Sequence, residues 1–105
     1  MRAAVIQEHI EIVDGPSGPT PRIAGHRIRV QDIAIAHERL GWSADEIVNQ
    51  FPTITLADVY AALAFYWDHR DDIEQAIRVE REYAEELRQV TPDPRQRKRR
   101  DLAAQ

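Results

Sequence analysis

Side chains able to carry chemistry are few in this 105-residue chain, and they do not gather. The four histidines, His9, His26, His37 and His69, are scattered, and none forms a pair at helical ligand spacing. His37-Glu38 begins like a zinc-protease motif, but Gly41 stands where the second histidine belongs. His69 beside Asp68, Asp71 and Asp72 could hold a metal or move a proton. A helix boundary rich in acids accounts for that group equally well. Gly15, Gly18 and Gly25 match no phosphate-binding loop, and Ser17 and Ser43 have no histidine partner that the sequence points to. Cysteine is absent, which excludes thiolate catalysis and cysteine-ligated metal. The expectation is a protein that is not an enzyme and that holds no cofactor and no metal.

Charge is the next source of chemistry. Residues 1–90 carry 9 basic and 16 acidic side chains, a net −7, whereas residues 91–105 carry 5 basic and 2 acidic, a net +3. An acidic body opposes non-specific DNA affinity, which rests on neutralising phosphates. Arg22, Arg27 and Arg29 are the basic cluster of the part expected to fold, and they are the candidates for contact with a nucleic-acid backbone. No apolar run approaches the roughly 18 residues of a membrane span. The start, MRAAVIQEHI, has too short an apolar stretch for a signal peptide. A cytoplasmic protein is expected, with no membrane partner.

The elements that position these groups centre on Gly41–Trp67. Ser43 with Glu46, and Thr55 with Asp58, each spell a helix-capping box, in which hydroxyl and carboxylate satisfy free backbone N–H groups reciprocally. Pro52 cannot continue the first helix. Ile47, Val48 and Phe51, then Leu56, Val59, Tyr60, Leu63 and Tyr66 or Trp67, fall at helical spacing. A short capped helix, a turn and a longer apolar helix make a helix-turn-helix pattern. Two packed helices of a small bundle fit the same spacing. If the second helix faces DNA, the positions available are Thr53, Thr55, Ala57, Asp58, Ala61 and Ala64, none of them a strong base-reading type. Thr53 and Thr55 could still reach phosphate.

Upstream, Ile6, Ile10 and Ile12 alternate with polar residues and predict a strand over 4–13. Residues 14–19 are dense in glycine and proline and predict a loop. A second extended piece is expected over 21–30, where Ile28 and Val30 alternate with Arg27 and Arg29 and Gly25 marks a tight turn. A hairpin alone is marginal in water, so it must lie on the helices or pair with a second copy, and a homodimer through this arm is expected. Gln31–Leu40 reads as a helix with Ile33, Ala36 and Leu40 on its apolar face and Gly41 as its left-handed cap. Residues 72–90 read as a long amphipathic helix striped by Ile73, Ile77, Ala84 and Leu87, broadened by Ala76, Val79, Tyr83 and Val90. It either packs on a partner or folds back over its own core. The basic stretch after Pro94 is too charged to fold alone. The implied division is a β arm at 1–30, a core at 31–70, a helix at 71–90 and a disordered basic tail at 91–105.

The ordered motifs Pro21-Arg22-Ile23-Ala24-Gly25-His26-Arg27-Ile28, Gly41-Trp42-Ser43-Ala44-Asp45-Glu46-Ile47, Phe51-Pro52-Thr53 and Ala62-Leu63-Ala64-Phe65-Tyr66 resemble a bacterial family. It is catalogued as domain-of-unknown-function family four-three-three, and its members are described as VapB-type antitoxins. The likeness covers about residues 20–75. The chain departs from the pattern at His26, where threonine is commoner, at Trp67, and in the Gly-Pro loop at 15–21. The resemblance implies a mainly α fold: a homeodomain-like three-helix helix-turn-helix core with a small N-terminal β arm and a long C-terminal helix. It also implies a dimer, a PIN-type ribonuclease toxin as partner and, by analogy with antitoxins, autoregulatory binding to operator DNA. A protein-interaction module without DNA binding is the alternative. The toxin-facing surface is expected in the C-terminal part: Ile73, Ile77, Tyr83 and Leu87 on the helix, with Arg97 and Arg99 of the tail reaching a carboxylate-lined nuclease site.

Overall fold

The computed structural model describes residues 8–16 and 18–90. Over these residues the chain is mainly helical, with a small two-stranded antiparallel sheet at the N-terminal end and four helices. Ile6, the basic tail and its Arg97 and Arg99 lie outside the described residues.

The hairpin is placed differently from the expectation. Strands β1 (Ile10–Gly15) and β2 (Gly18–Ile23) run through the glycine- and proline-rich stretch, and the chain reverses between Gly15 and Gly18, which face each other. Hydrogen bonding explains how two prolines fit a strand. Opposed residues of an antiparallel pair alternate between bonded and non-bonded pairs. Pro19 and Pro21 have no N–H to give, and Ile23 donates its N–H away from β1, to the Ile28 carbonyl at 2.8 Å. These three therefore occupy non-bonded positions, opposite Asp14, Ile12 and Ile10. Proline costs a strand nothing where its nitrogen faces outward. The expected second strand over 21–30 shrinks to one bridge, Arg22 to Arg29, after a turn in which Gly25 takes φ +80°.

Helix α1 (Val30–Ala34) begins at Val30 because the Arg29 N–H is capped by Asp32 Oδ2 at 2.9 Å. It widens into a π-helical turn, Ile35–Arg39, where the Leu40 N–H reaches back five residues to the Ile35 carbonyl. Leu40, expected on the buried face, is 57% exposed. The extra residue in that turn rotates it off the stripe begun by Ile33 and Ala36, both buried. Gly41, at φ +72°, ends the element in the left-handed conformation anticipated for it.

Helices α2 (Ala44–Gln50) and α3 (Leu56–Asp68) are joined by a turn pinned in the core by Ile54, which is buried. Helix α1 packs mainly on α3, α2 also packs on α3, and the Ile10–Ile23 end of the hairpin lies against them. Ile23, Val30, Ile33, Ile47 and Val59 are the largest fully buried side chains and form the centre of this body. Of the residues expected inside α3, Val59 and Tyr66 are buried, whereas Leu56, Tyr60 and Trp67 are exposed. Helix α4 spans Arg70–Val90. By its internal packing the chain divides between Glu74 and Gln75, within this helix. No described helix is long and apolar enough to cross a membrane.

Candidate functional site

Both capping boxes form. The Ser43 hydroxyl accepts the Glu46 N–H at 3.1 Å, and Glu46 Oε1 accepts the Ser43 N–H at 3.1 Å. Thr55 Oγ1 accepts the Asp58 N–H at 3.1 Å, and Asp58 Oδ2 accepts the Thr55 N–H at 2.9 Å. Asp58 is held again from the hairpin side: its Oδ1 lies 2.8 Å from His9 Nδ1. This cross-link joins residues 49 apart and ties the approach to β1 to the first turn of α3. Burial on its own would raise the Asp58 carboxyl, but the Thr55 backbone N–H, His9 and the Thr55 side chain together bring it below the ordinary carboxylate value.

A lowered carboxyl stabilises the fold only while ionised, so its contribution is present above its unfolded value, about pH 4, and is lost as pH falls through the lower folded value. Glu74 titrates with the same sign. Its lowered pKa comes first from the Tyr66 hydroxyl, which donates to Oε2 at 2.5 Å, with burial opposing and Arg39, at 2.6 Å, assisting. Acidification from about pH 4 downward should therefore lower the melting temperature more steeply in the native chain than in Asp58→Asn. Parallel slopes for the two proteins over that range would remove Asp58 from the acid limb.

Each nucleic-acid candidate now has a place. Thr53 and Thr55 are exposed at the head of α3, although the Thr55 hydroxyl is engaged by the Asp58 N–H. Ala57 is exposed, Ala61 half-buried, and Asp58 committed to its cap and to His9. From Ala44 to Asp68 there is no arginine or lysine, so neither α2 nor α3 carries a cation of its own; the next one, Arg70, lies over the Trp67 ring at 5.8 Å. The arginines lie elsewhere. Arg22 and Arg29 are bridge partners and share one side of the hairpin. The Arg29 guanidinium is paired with Asp32 (Nη2 to Oδ1, 2.8 Å), while Arg22 Nε is buried with no hydrogen-bond partner. Arg27 is exposed on the following turn.

A shallow recess of about 250 Å³ lies between the start of β1 and α3, floored by Ile10, Ala61, Ala64 and Phe65 and edged by Glu8, Asp68 and the two histidines His9 and His69. It is smaller than the ~300–1,000 Å³ usual for a small-molecule site. His69 closes α3 and stacks on Phe65, with ring centres 4.1 Å apart. The acids that follow it, Asp71 and Asp72, stand in the first turn of α4, where the helix dipole favours them. No three metal-binding side chains converge among the described residues.

On α4, Ile73 and Ile77 are buried. Val79, Tyr83, Leu87 and Val90 are exposed, at 52, 61, 47 and 80%. They recur at intervals of four, four and three, which keeps them on one side of the helix.

A small mainly helical protein with a two-stranded sheet, built around two capped helices, is the class these features define. The chain belongs to the family described as "Protein of unknown function (DUF433)", whose model matches residues 10–66. It is also similar to a solved structure, the crystal structure of a DUF433 member protein from Anabaena variabilis, with 30% identity and a TM-score of 0.59 over 68% of this chain and 69% of that one. No curated protein matches it.

Proposed function

We propose that this protein is the antitoxin-like component of a bacterial type II toxin–antitoxin pair, acting in the cytoplasm. Its body is a homeodomain-like helix-turn-helix, and its C-terminal helix captures a PIN-type ribonuclease. The observation that carries the reading is the exposed apolar row Val79, Tyr83, Leu87 and Val90 on an otherwise charged helix. Isolated surface apolar residues need no explanation, but an aligned row marks a surface that another molecule covers. The test is co-expression of the full chain with the product of the adjacent gene. A stable complex and relief of that product's toxicity support the reading. Independent purification of the two proteins, with toxicity unchanged, rejects it.

Operator binding for autoregulation is the second part of the proposal, and one observation favours the reading without it: α2 and α3 contain no arginine or lysine. Attraction to phosphate then falls to the hairpin side, and chiefly to Arg27, since Arg29 is already paired with Asp32. Arg27→Ala should weaken DNA binding evenly across sequences and lower the salt slope by about 1 per protomer. Absence of any DNA binding in low salt leaves the interaction-module reading; binding that Arg27→Ala does not change moves the interface to α3.

A further inference from the structure

The two edges of the hairpin are unlike each other, and that asymmetry has a consequence for assembly. Along the outer edge of β2 the backbone offers almost nothing to a neighbour. Pro19 and Pro21 lack the N–H, and the Ile23 N–H is taken by the Ile28 carbonyl. The bridge from Arg22 to Arg29 covers the same side. This edge is closed.

Among the described residues, the outer edge of β1 is open. Because Ile10, Ile12 and Asp14 occupy the non-bonded positions opposite Ile23, Pro21 and Pro19, their own N–H and C=O groups point away from β2. No backbone group among the described residues meets them. Ile12 is 55% exposed, whereas Ile10 on the same face is buried. An unprotected edge carrying an exposed isoleucine is a template for another strand.

We propose that the occupant of this edge is the β1 strand of a second copy of this chain, paired antiparallel about a two-fold axis at Ile12 to give a four-stranded sheet. The register follows from the pattern. Only outward-facing residues can bond across the axis, and the full overlap of the open stretch sets Ile12 opposite Ile12 and Ile10 opposite Asp14. Two isoleucines then meet at the axis, on the face that is now half in water. No like charges stand opposite each other. The two Asp14 side chains fall at opposite ends, and Glu11 faces Val13 while its own carboxylate accepts the Gly25 N–H within its protomer at 3.2 Å. The closed β2 edges explain why assembly stops at two: a strand arriving there finds no donors, so the sheet cannot extend into a filament. This inference is independent of the toxin reading, since it needs neither DNA nor a partner protein.

The test uses the full chain and exploits its lack of cysteine. Opposed bonded residues have Cα atoms about 5.5 Å apart, within disulfide reach. Ile12→Cys should form a disulfide-linked dimer under mild oxidation, while Val13→Cys, two positions off its own mate, should link several-fold less. Sedimentation equilibrium should give a dimer mass for the native chain at tens of micromolar. Ile12→Pro removes an outward N–H and no hairpin bond, so it should give a monomer with the native circular dichroism spectrum. A monomeric native chain, a dimer that survives Ile12→Pro, or equal cross-linking at positions 12 and 13 would each overturn the proposal. Should Ile12→Pro fail to fold, the cysteine pair alone decides.

Discussion

Ile33→Ala is expected to destabilise the helical body by about 2–5 kcal/mol, since deleting buried methylenes loses transfer energy and leaves a cavity. Ile33 is fully buried where α1 packs on α3, and the hairpin and α2 rest against the same centre through Ile23 and Ile47. A short five-residue helix has little stability of its own, so it cannot collapse inward to fill the space without losing its other contacts. A domain is held by roughly 5–15 kcal/mol, so the loss is a large share of the whole. Urea denaturation followed by circular dichroism should show a much lower midpoint with an unchanged slope. Ile33→Val, one methylene smaller, should cost only about 0.5–1.5 kcal/mol. Equal midpoints for Ile33→Ala and the native chain would mean that α1 is not part of the cooperative unit.

How far the residues announce this architecture depends on the range over which each signal acts. The two capping boxes are local, three residues across, and both form at the hydrogen-bond distances such boxes require. Gly41 and Gly25 were equally legible, because positive φ is a demand that one residue answers alone. Pro19 misled because proline reads as a breaker until the direction of its strand bond is known, and that direction is set by the pairing partner. Leu40 misled because a π-helical turn shifts the phase of an apolar stripe by one residue, and nothing in the local composition marks it. Tyr66 and Trp67 were interchangeable on spacing; Tyr66 is the buried one, and its hydroxyl has Glu74 to donate to. The His9–Asp58 tie had no sequence signal, since its members are 49 residues apart and each has an ordinary local role.

If α4 captures a nuclease as proposed, replacing Tyr83 and Leu87 together by glutamine is expected to weaken that complex by at least about a hundredfold. Both lie on the exposed row of α4, four residues apart, and an aromatic anchor of this kind typically costs 2 kcal/mol or more when removed from an interface core. Glutamine keeps nearly the helix propensity of leucine, so the substitutions alter the surface and leave α4 helical. Neither residue belongs to the buried centre, so the melting temperature of the free chain should change little. That separates lost binding from lost folding. A chain ending at Val90 then divides the helix from the basic tail: retained affinity assigns capture to α4, and a drop equal to that of the double variant assigns a share to the arginines that follow. If the Tyr83→Gln, Leu87→Gln protein binds its partner as tightly as the native chain, the row on α4 is not the docking surface. The proposed capture would then have to involve the hairpin or the exposed Tyr60 and Trp67 of α3.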